Sequence, residues 1–228
     1  MPIAIQIIDL KRMDYRRAFI IQEMIYQGCD ENRFPDAIIF QENDPVFTMG
    51  RSSDITHLLK SEEELHKLGI HIEIVDRGGD ITYHGPGQLV ISALIHIRTY
   101  ALTVHQYLRN LEEIVMGILA FYGIQGQRIE GKSGVWVNNE KIAAIGIGVT
   151  HGITRHGIAI NIDPDLSHFT YIVPCGIHDG GVTSLKKLGV EVENIDEIKS
   201  LFIKEFNKIF NTAEVEPVWK EGDVLYES

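Results

Sequence analysis

Cysteine is nearly absent from this chain. Cys29 and Cys175 are the two in 228 residues, far too few and too distant to staple a disulfide scaffold. A reducing, cytoplasmic setting is the expectation. Basic charge is also scarce: 21 Lys and Arg face 32 Asp and Glu, for a net charge of −11. Generic nucleic-acid binding needs clustered cations and is not expected. One local group, Lys11, Arg12, Arg16 and Arg17, has the spacing of a solvated helix face. No apolar stretch is long enough for a membrane span, and no apolar run follows a basic N-terminal segment, so neither a membrane partner nor a secretory signal is expected. Ten histidines are present, but no Cys-x-x-Cys and no His-Glu-x-x-His. His151 and His156, five apart, are a poor ligand pair, and no metal is expected.

The densest feature is Arg77-Gly-Gly-Asp-Ile-Thr-Tyr-His-Gly-Pro-Gly-Gln88, with four glycines and a proline in twelve residues. Apolar runs flank it. It reads as a long loop loaded with polar groups, and glycine lets a ligand approach its backbone closely. It is not a phosphate loop, because no Gly-Lys-Ser/Thr ends it and no helix-opening Gly-x-Gly-x-x-Gly is present.

Around it the chain alternates between strand and helix signals. Ile3 to Leu10 predicts a strand, and Asp14 caps a helix running to about Gln27, with Tyr15, Ala18, Phe19 and Met24 as its core stripe and Gly28 as its stop. Cys29 then falls in a turn. Short strands are expected at Ala37 to Gln41 and Val46 to Met49, on either side of Glu42-Asn43-Asp44-Pro45. Ser61 with Glu64, and Thr103 with Gln106, are capping boxes. The second opens a long amphipathic helix to Tyr122. Strands at His71 to Val75 and Leu89 to Ile97 lead into and out of the glycine-rich loop. Val135-Trp136-Val137 and Lys141 to Val149 predict a hairpin about Asn138-Asn139. Its second strand carries Ala143, Ala144, Gly146 and Gly148, small residues suited to a close ligand. His156 to Ile162 predicts another strand and Ile195 to Phe210 a final helix. Without regular βαβ alternation, the expectation is a single α/β (α+β) domain, residues 1–228, with a mixed sheet flanked by helices. Residues from about 186 to 228 could form a small appended lobe.

Two groups stand out chemically. Cys175, between Pro174 and Gly176, is either a nucleophile or a buried structural thiol. As a nucleophile it needs a base or a cation, and His178, His84, His156 and Lys141 are all candidates, since such pairs assemble in space. His84 could brace its loop or relay a proton. Lys141, at the head of its strand, is by position alone an ordinary edge residue facing water.

Four blocks, in order, resemble one family. They are Arg77 to Gln88; Gly134-Val-Trp-Val137 with Lys141-Ile-Ala-Ala-Ile-Gly146; His156-Gly-Ile-Ala-Ile-Asn161; and Pro174-Cys-Gly-Ile177 with Val182-Thr-Ser-Leu185. Together they are similar to the octanoyltransferases of lipoate biosynthesis, over about Asp9 to Leu185. The resemblance implies the biotin/lipoate protein ligase catalytic-domain fold. It implies transfer of an octanoyl group from octanoyl-acyl carrier protein to a lysine of lipoyl carrier domains, those of 2-oxoacid dehydrogenase acyltransferase subunits and the glycine cleavage H protein. No cofactor is implied. The family's acyl-thioester cysteine matches Cys175 and its partner lysine matches Lys141. Its substrate-binding positions match Arg77, Gly78, Gly79, Asp80, Ile81, Thr82, Tyr83 and His84, then Ala144, Ile145 and Gly146, then Gly157, Ile158 and Ala159. One departure is Asn43, where relatives commonly carry His. The rivals are an ATP-dependent lipoate or biotin ligase, which needs no cysteine nucleophile, a thiol hydrolase, and a non-catalytic docking module for carrier domains.

Overall fold

The computed structural model describes residues 2–173 and 181–215. The chain runs through β1 (Ile3–Met13), α1 (Tyr15–Asp30), β2 (Asp36–Asn43), β3 (Val46–Met49), α2 (Glu62–Lys67), β4 (His71–Ile74), β5 (Ile81–His84) and β6 (Gln88–Leu94). It continues through α3 (Val104–Phe121), β7 (Gln127–Ile129), β8 (Lys132–Val137), β9 (Glu140–Thr150), β10 (Ile153–Asn161), α4 (Ile195–Phe210) and β11 (Thr212–Val215). Eight strands form a mixed sheet in the order β11-β1-β2-β6-β10-β9-β8-β7, and β4-β3-β5 form a second, three-stranded sheet. β1 runs parallel to β2 and β11, whereas pairing from β2 through to β7 is antiparallel.

The two faces of the large sheet follow from strand alternation. On β6, Leu89, Ile91 and Ala93 point into the main core with the α3 stripe Tyr107, Leu111, Ile114, Val115 and Ile118. Gln88, Val90 and Ser92 point the other way, into a cavity. α1 covers part of that second face through Ala18, Ile21 and Ile25, which pack on Ile8, Ile39 and Leu94. The small sheet has its own core of Phe47, Ile81, Tyr83 and Phe169.

Local signals place most ends. Both capping boxes form, Ser61 with Glu64 and Thr103 with Gln106. The β8–β9 turn has Asn138 and Asn139 at φ 49° and 66°, the left-handed pair that a two-residue hairpin requires. Some expectations need correcting. α1 runs through Gly28 to Asp30, and a side chain at Gly28 would collide with the Phe34 ring, 2.1 Å from an added Cβ. That glycine serves close packing, not termination. Cys29 is therefore in the last helical turn and fully buried. The stripe of α1 is Ala18, Ile21, Gln22, Ile25 and Cys29, with Phe19 and Met24 only half-buried. Residues 81–84 are a strand pairing with β3, not loop. α4 forms no separate lobe: Phe202, Phe206 and Phe210 lie in the main core, and β11 pairs with β1.

Phe202 is fully buried and meets Phe40 edge-on at 5.7 Å between ring centroids. Phe202→Ala is expected to lower stability by about 3–5 kcal/mol, from lost burial and the cavity left behind. A urea titration showing a loss under about 1 kcal/mol would mean that α4 is peripheral to the fold.

Candidate active site

A single extra residue in β9 aims Lys141. Between β8 and β9 the register moves from Trp136↔Lys141 to Val135↔Ala143, one step against two. This bulge resets the alternation. Ile142 and Ala143 enter the main core, and Lys141 turns to the cavity face with Ala144 and Gly146. Lys141 is only 9% exposed, and its Nζ lies 4.8 Å from the centre of the Trp136 ring. Gly134 makes the close fit possible. At φ +114°, an added Cβ would stand 2.5 Å from the Ala143 carbonyl oxygen. The Gly134 N–H donates to buried Glu112, which also accepts from Arg109 and Arg128.

The cavity lies between the large sheet, α1 and the small sheet. Arg77, Gly78, Gly79, Asp80, Thr82 and His84 line one side of it. Ala144, Ile145, Gly146, Gly157, Ile158 and Ala159 line the floor. Ile81 and Tyr83 do not face it. They alternate to the back of β5 and pack in the small-sheet core, where the Tyr83 ring meets Phe47 and Phe169. Cys175 lies outside the described residues, as do Pro174, Gly176, Ile177 and His178.

The described residues on either side of that segment are tightly held. Upstream, the Val173 N–H donates to the His57 carbonyl at 2.8 Å, and the His57 side chain pairs with Asp80 of the cavity wall. Downstream, the Lys141 N–H donates to the Gly181 carbonyl and the Thr183 N–H to the Lys141 carbonyl. Leu185 and Lys186 then donate to Asn161 and Ile162 at the end of β10.

A buried hydrogen-bonded series joins these parts. Arg77 donates from Nη2 to Thr48 Oγ1 at 2.9 Å, leaving the Thr48 proton for His84 Nε2 at 3.3 Å. His84 Nδ1 donates to Gln88 Oε1 at 2.7 Å. That direction is set by Gln88 Nε2, which donates to Asn161 Oδ1 at 2.9 Å and to the Tyr83 carbonyl. Asn161 Nδ2 in turn donates to the Thr183 carbonyl at 3.0 Å. Both ring nitrogens of His84 are thus engaged in the neutral form. Burial, with the Arg77 charge adding to it, pushes its pKa down to about 4. The ring thereby ties Thr48 of the small sheet to Gln88 of the large one. Tyr15 stacks on it at 6.2 Å, its own pKa pushed up to about 12 by burial.

His156 also lines the cavity, at φ +59°, a conformation rare outside glycine. Its Nε2 is 2.7 Å from Asp76 Oδ1, and Arg155 donates to the other Asp76 oxygen. The His156 hydrogen bond, with the nearby positive charges, holds the Asp76 carboxyl down at about 2. Tyr15, Gln22, Gln41, Gln88, Val90, Ser92, Ser133, Asn161, Phe169 and Val182 line the cavity without having been singled out in the sequence as site residues. For Gln22 and Gln41 a signal existed: each interrupts an otherwise apolar stripe. Among the described residues no group of three or more His, Cys, Asp or Glu is placed to hold a metal ion. No helix there is long and apolar enough to cross a membrane.

His84 gives a pH signature. The unfolded chain takes up its proton near the ordinary value of about 6.5, whereas the folded one resists until about 4. Between those values the unfolded state binds more protons, so stability falls as pH falls through that window and is fully retained above it. Comparing denaturation midpoints of the wild type and His84→Asn from pH 7 to pH 4 is expected to show a shallower decline in the variant. Parallel curves would place the titration elsewhere.

Known proteins share sequence and fold with this chain. Residues 14–207 match the family model of the lipoyl protein ligase A/B catalytic domain. An octanoyltransferase of Flavobacterium psychrophilum is 38% identical over 224 residues, covering 91% of this chain and 97% of that protein. One from Pelobacter propionicus is 41% identical over 192 residues, covering 84% and 88%. In three dimensions, a lipoate-protein ligase A bound with ATP superposes with a TM-score of 0.77 at 18% identity, covering 95% of this chain and 89% of that one, which establishes a shared fold. The chain belongs to the lipoyl protein ligase A/B catalytic domain family.

Proposed function

We propose that this protein is an octanoyltransferase, moving an octanoyl group from octanoyl-acyl carrier protein to a lysine of a lipoyl domain through an acyl thioester on Cys175. The observation that carries the reading is Lys141. The β9 bulge turns it into a cavity floored by small residues, and its own backbone hydrogen-bonds Gly181 and Thr183, which follow the Cys175 segment. Relatives named octanoyltransferase, matched along most of their length, support the acyl group.

The chemistry is a pair of acyl exchanges. In the first, Lys141 takes the Cys175 thiol proton and the thiolate attacks the donor carbonyl. The Cys175 S–C bond forms, the donor C–S bond breaks, and the leaving thiolate receives the proton from Lys141. Both bonds are thioesters, so the step is nearly isoenergetic. In the second, the acceptor amine attacks the Cys175 thioester. A C–N bond forms, the Cys175 C–S bond breaks, and the amine proton passes to Lys141 or the released thiolate. The floor of Ala144, Gly146, Gly157 and Ala159 leaves room for the alkyl chain. Burial at about 0.8 kcal/mol per methylene then contributes several kcal/mol to holding it. On the cavity wall the Gly79 backbone N–H is the candidate donor to the developing oxyanion, since the Gly78 N–H already donates to the Ile147 carbonyl at 2.9 Å.

The competing reading is an ATP-dependent ligase of the same fold, the class of one structural relative. Intact-mass analysis separates the two. Incubated with octanoyl-acyl carrier protein alone, the wild type is expected to gain one octanoyl group, labile to hydroxylamine. Cys175→Ser is expected to lose this hydroxylamine-labile adduct, and Lys141→Ala to slow loading by about 100-fold or more, the usual scale for general acid–base catalysis. Modification of a lipoyl domain that requires ATP and free octanoate would instead establish the ligase.

A further inference from the structure

We infer that the hydrogen-bonded pair Gln22–Gln41 is the end wall of the acyl cavity and fixes the longest chain the enzyme takes. The inference rests on the acyl-transfer reading above and adds to it the element that sets chain length.

The cavity floor is one register row across four strands. Ala144 on β9 pairs with Ala159 on β10, Ala159 pairs with Val90 on β6, and Val90 pairs with Gln41 on β2. With neighbouring strands about 4.8 Å apart, three spacings make a row about 14 Å long. Lys141 lies on β9 three residues before Ala144 and so flanks the β9 end of the row, Gln41 stands at the β2 end, and both line the same cavity. Side-chain bulk grows along the row, from methyl to methyl to isopropyl to amide. An alkyl chain whose carbonyl lies by Lys141 and which follows this row meets Gln41 with its methyl end.

The amide at that end is not free to swing aside. α1 lowers Gln22 onto it, and Gln22 Nε2 donates to Gln41 Oε1 at 2.8 Å. Gln41 Nε2 donates onward to Asn43 Oδ1 at 2.9 Å. The three side chains are buried, Asn43 completely. A terminal methyl that stops short of this ladder leaves its hydrogen bonds intact. A longer chain must unpair buried amides to pass, and buried polar groups without partners are strongly disfavoured. The wall is therefore rigid for an electrostatic reason, whereas an apolar wall of similar size can yield by changing rotamer.

The test is acyl loading from octanoyl-, decanoyl- and dodecanoyl-N-acetylcysteamine thioesters, read as intact mass against time, for the wild type, Gln41→Ala and Gln22→Ala. Each substitution is expected to raise the dodecanoyl-to-octanoyl loading ratio by about tenfold or more, the scale of burying two of the four additional methylenes. Gln22 belongs to α1 and not to a strand, so Gln22→Ala leaves the β2 pairing untouched and decides the matter if Gln41→Ala folds poorly. Melting curves identify that case. Folded variants that keep the wild-type chain-length profile overturn the end-wall assignment while leaving the transferase reading in place. A wild type that acquires no acyl mass from any of the three donors, nor from octanoyl-acyl carrier protein, overturns the transferase reading and this inference with it.

Discussion

The arrangement of the site depends on the backbone pairing at Lys141. That one residue donates its N–H to Gly181, accepts from Thr183 and, through the neighbouring bulge, presents its side chain to the cavity. A regular strand would have sent Lys141 to the same face as Ala143 and Ile145, into the apolar core, where an amine has no partner. The bulge trades that position for Ile142, which is fully buried. Gly134 and the Glu112–Arg109–Arg128 cluster beneath it hold the distorted strand in place. The Lys141 side chain is thus aimed by hydrogen bonding and steric fit from Gly134 on β8, Glu112 on α3 and residues 181–183.

A second layer of polar order joins the two sheets. Thr48 and His84 come from the small sheet, Gln88 and Asn161 from the large sheet, and Thr183 from the segment bonded to Lys141. In a low-dielectric interior each of these bonds has no competing water, so an orphaned member would be costly. The series has one direction of donation throughout, from Arg77 toward Thr183. This explains why His84, the most conspicuous titratable group of the glycine-rich stretch, is held neutral.

Much of the fold was legible because local rules and the final structure agreed. The capping boxes at Ser61 and Thr103, the Asn138-Asn139 turn and the alternation of β6 each express short-range chemistry. Of the small residues of β9, Ala144 and Gly146 marked the cavity floor, whereas Ala143 faces the core; Gly157 and Ala159 were indicated only by the family resemblance. What was not legible depends on contacts distant in sequence. Gly28 reads as a stop until Phe34 is placed against it. Residues 81–84 read as loop because their partner, β3, lies more than thirty positions earlier. Tyr83 and His84 are adjacent, yet one packs in the core and the other faces the cavity, a distinction that exists only once the segment is a strand. The bulge left no mark on composition at all.

The register row beneath the cavity has a consequence for how the protein comes to be active. Each floor residue belongs to a different strand, and the strands are drawn from positions 37 to 161 of the chain. A slip of one residue in any of three pairings would turn part of the floor to the core side and bring an isoleucine or phenylalanine up in its place. No subset of strands contains a smaller version of this cavity. Binding capacity should therefore appear late and all at once during folding, together with the last of those pairings, and a partly assembled sheet would offer an acyl chain only ordinary hydrophobic surface.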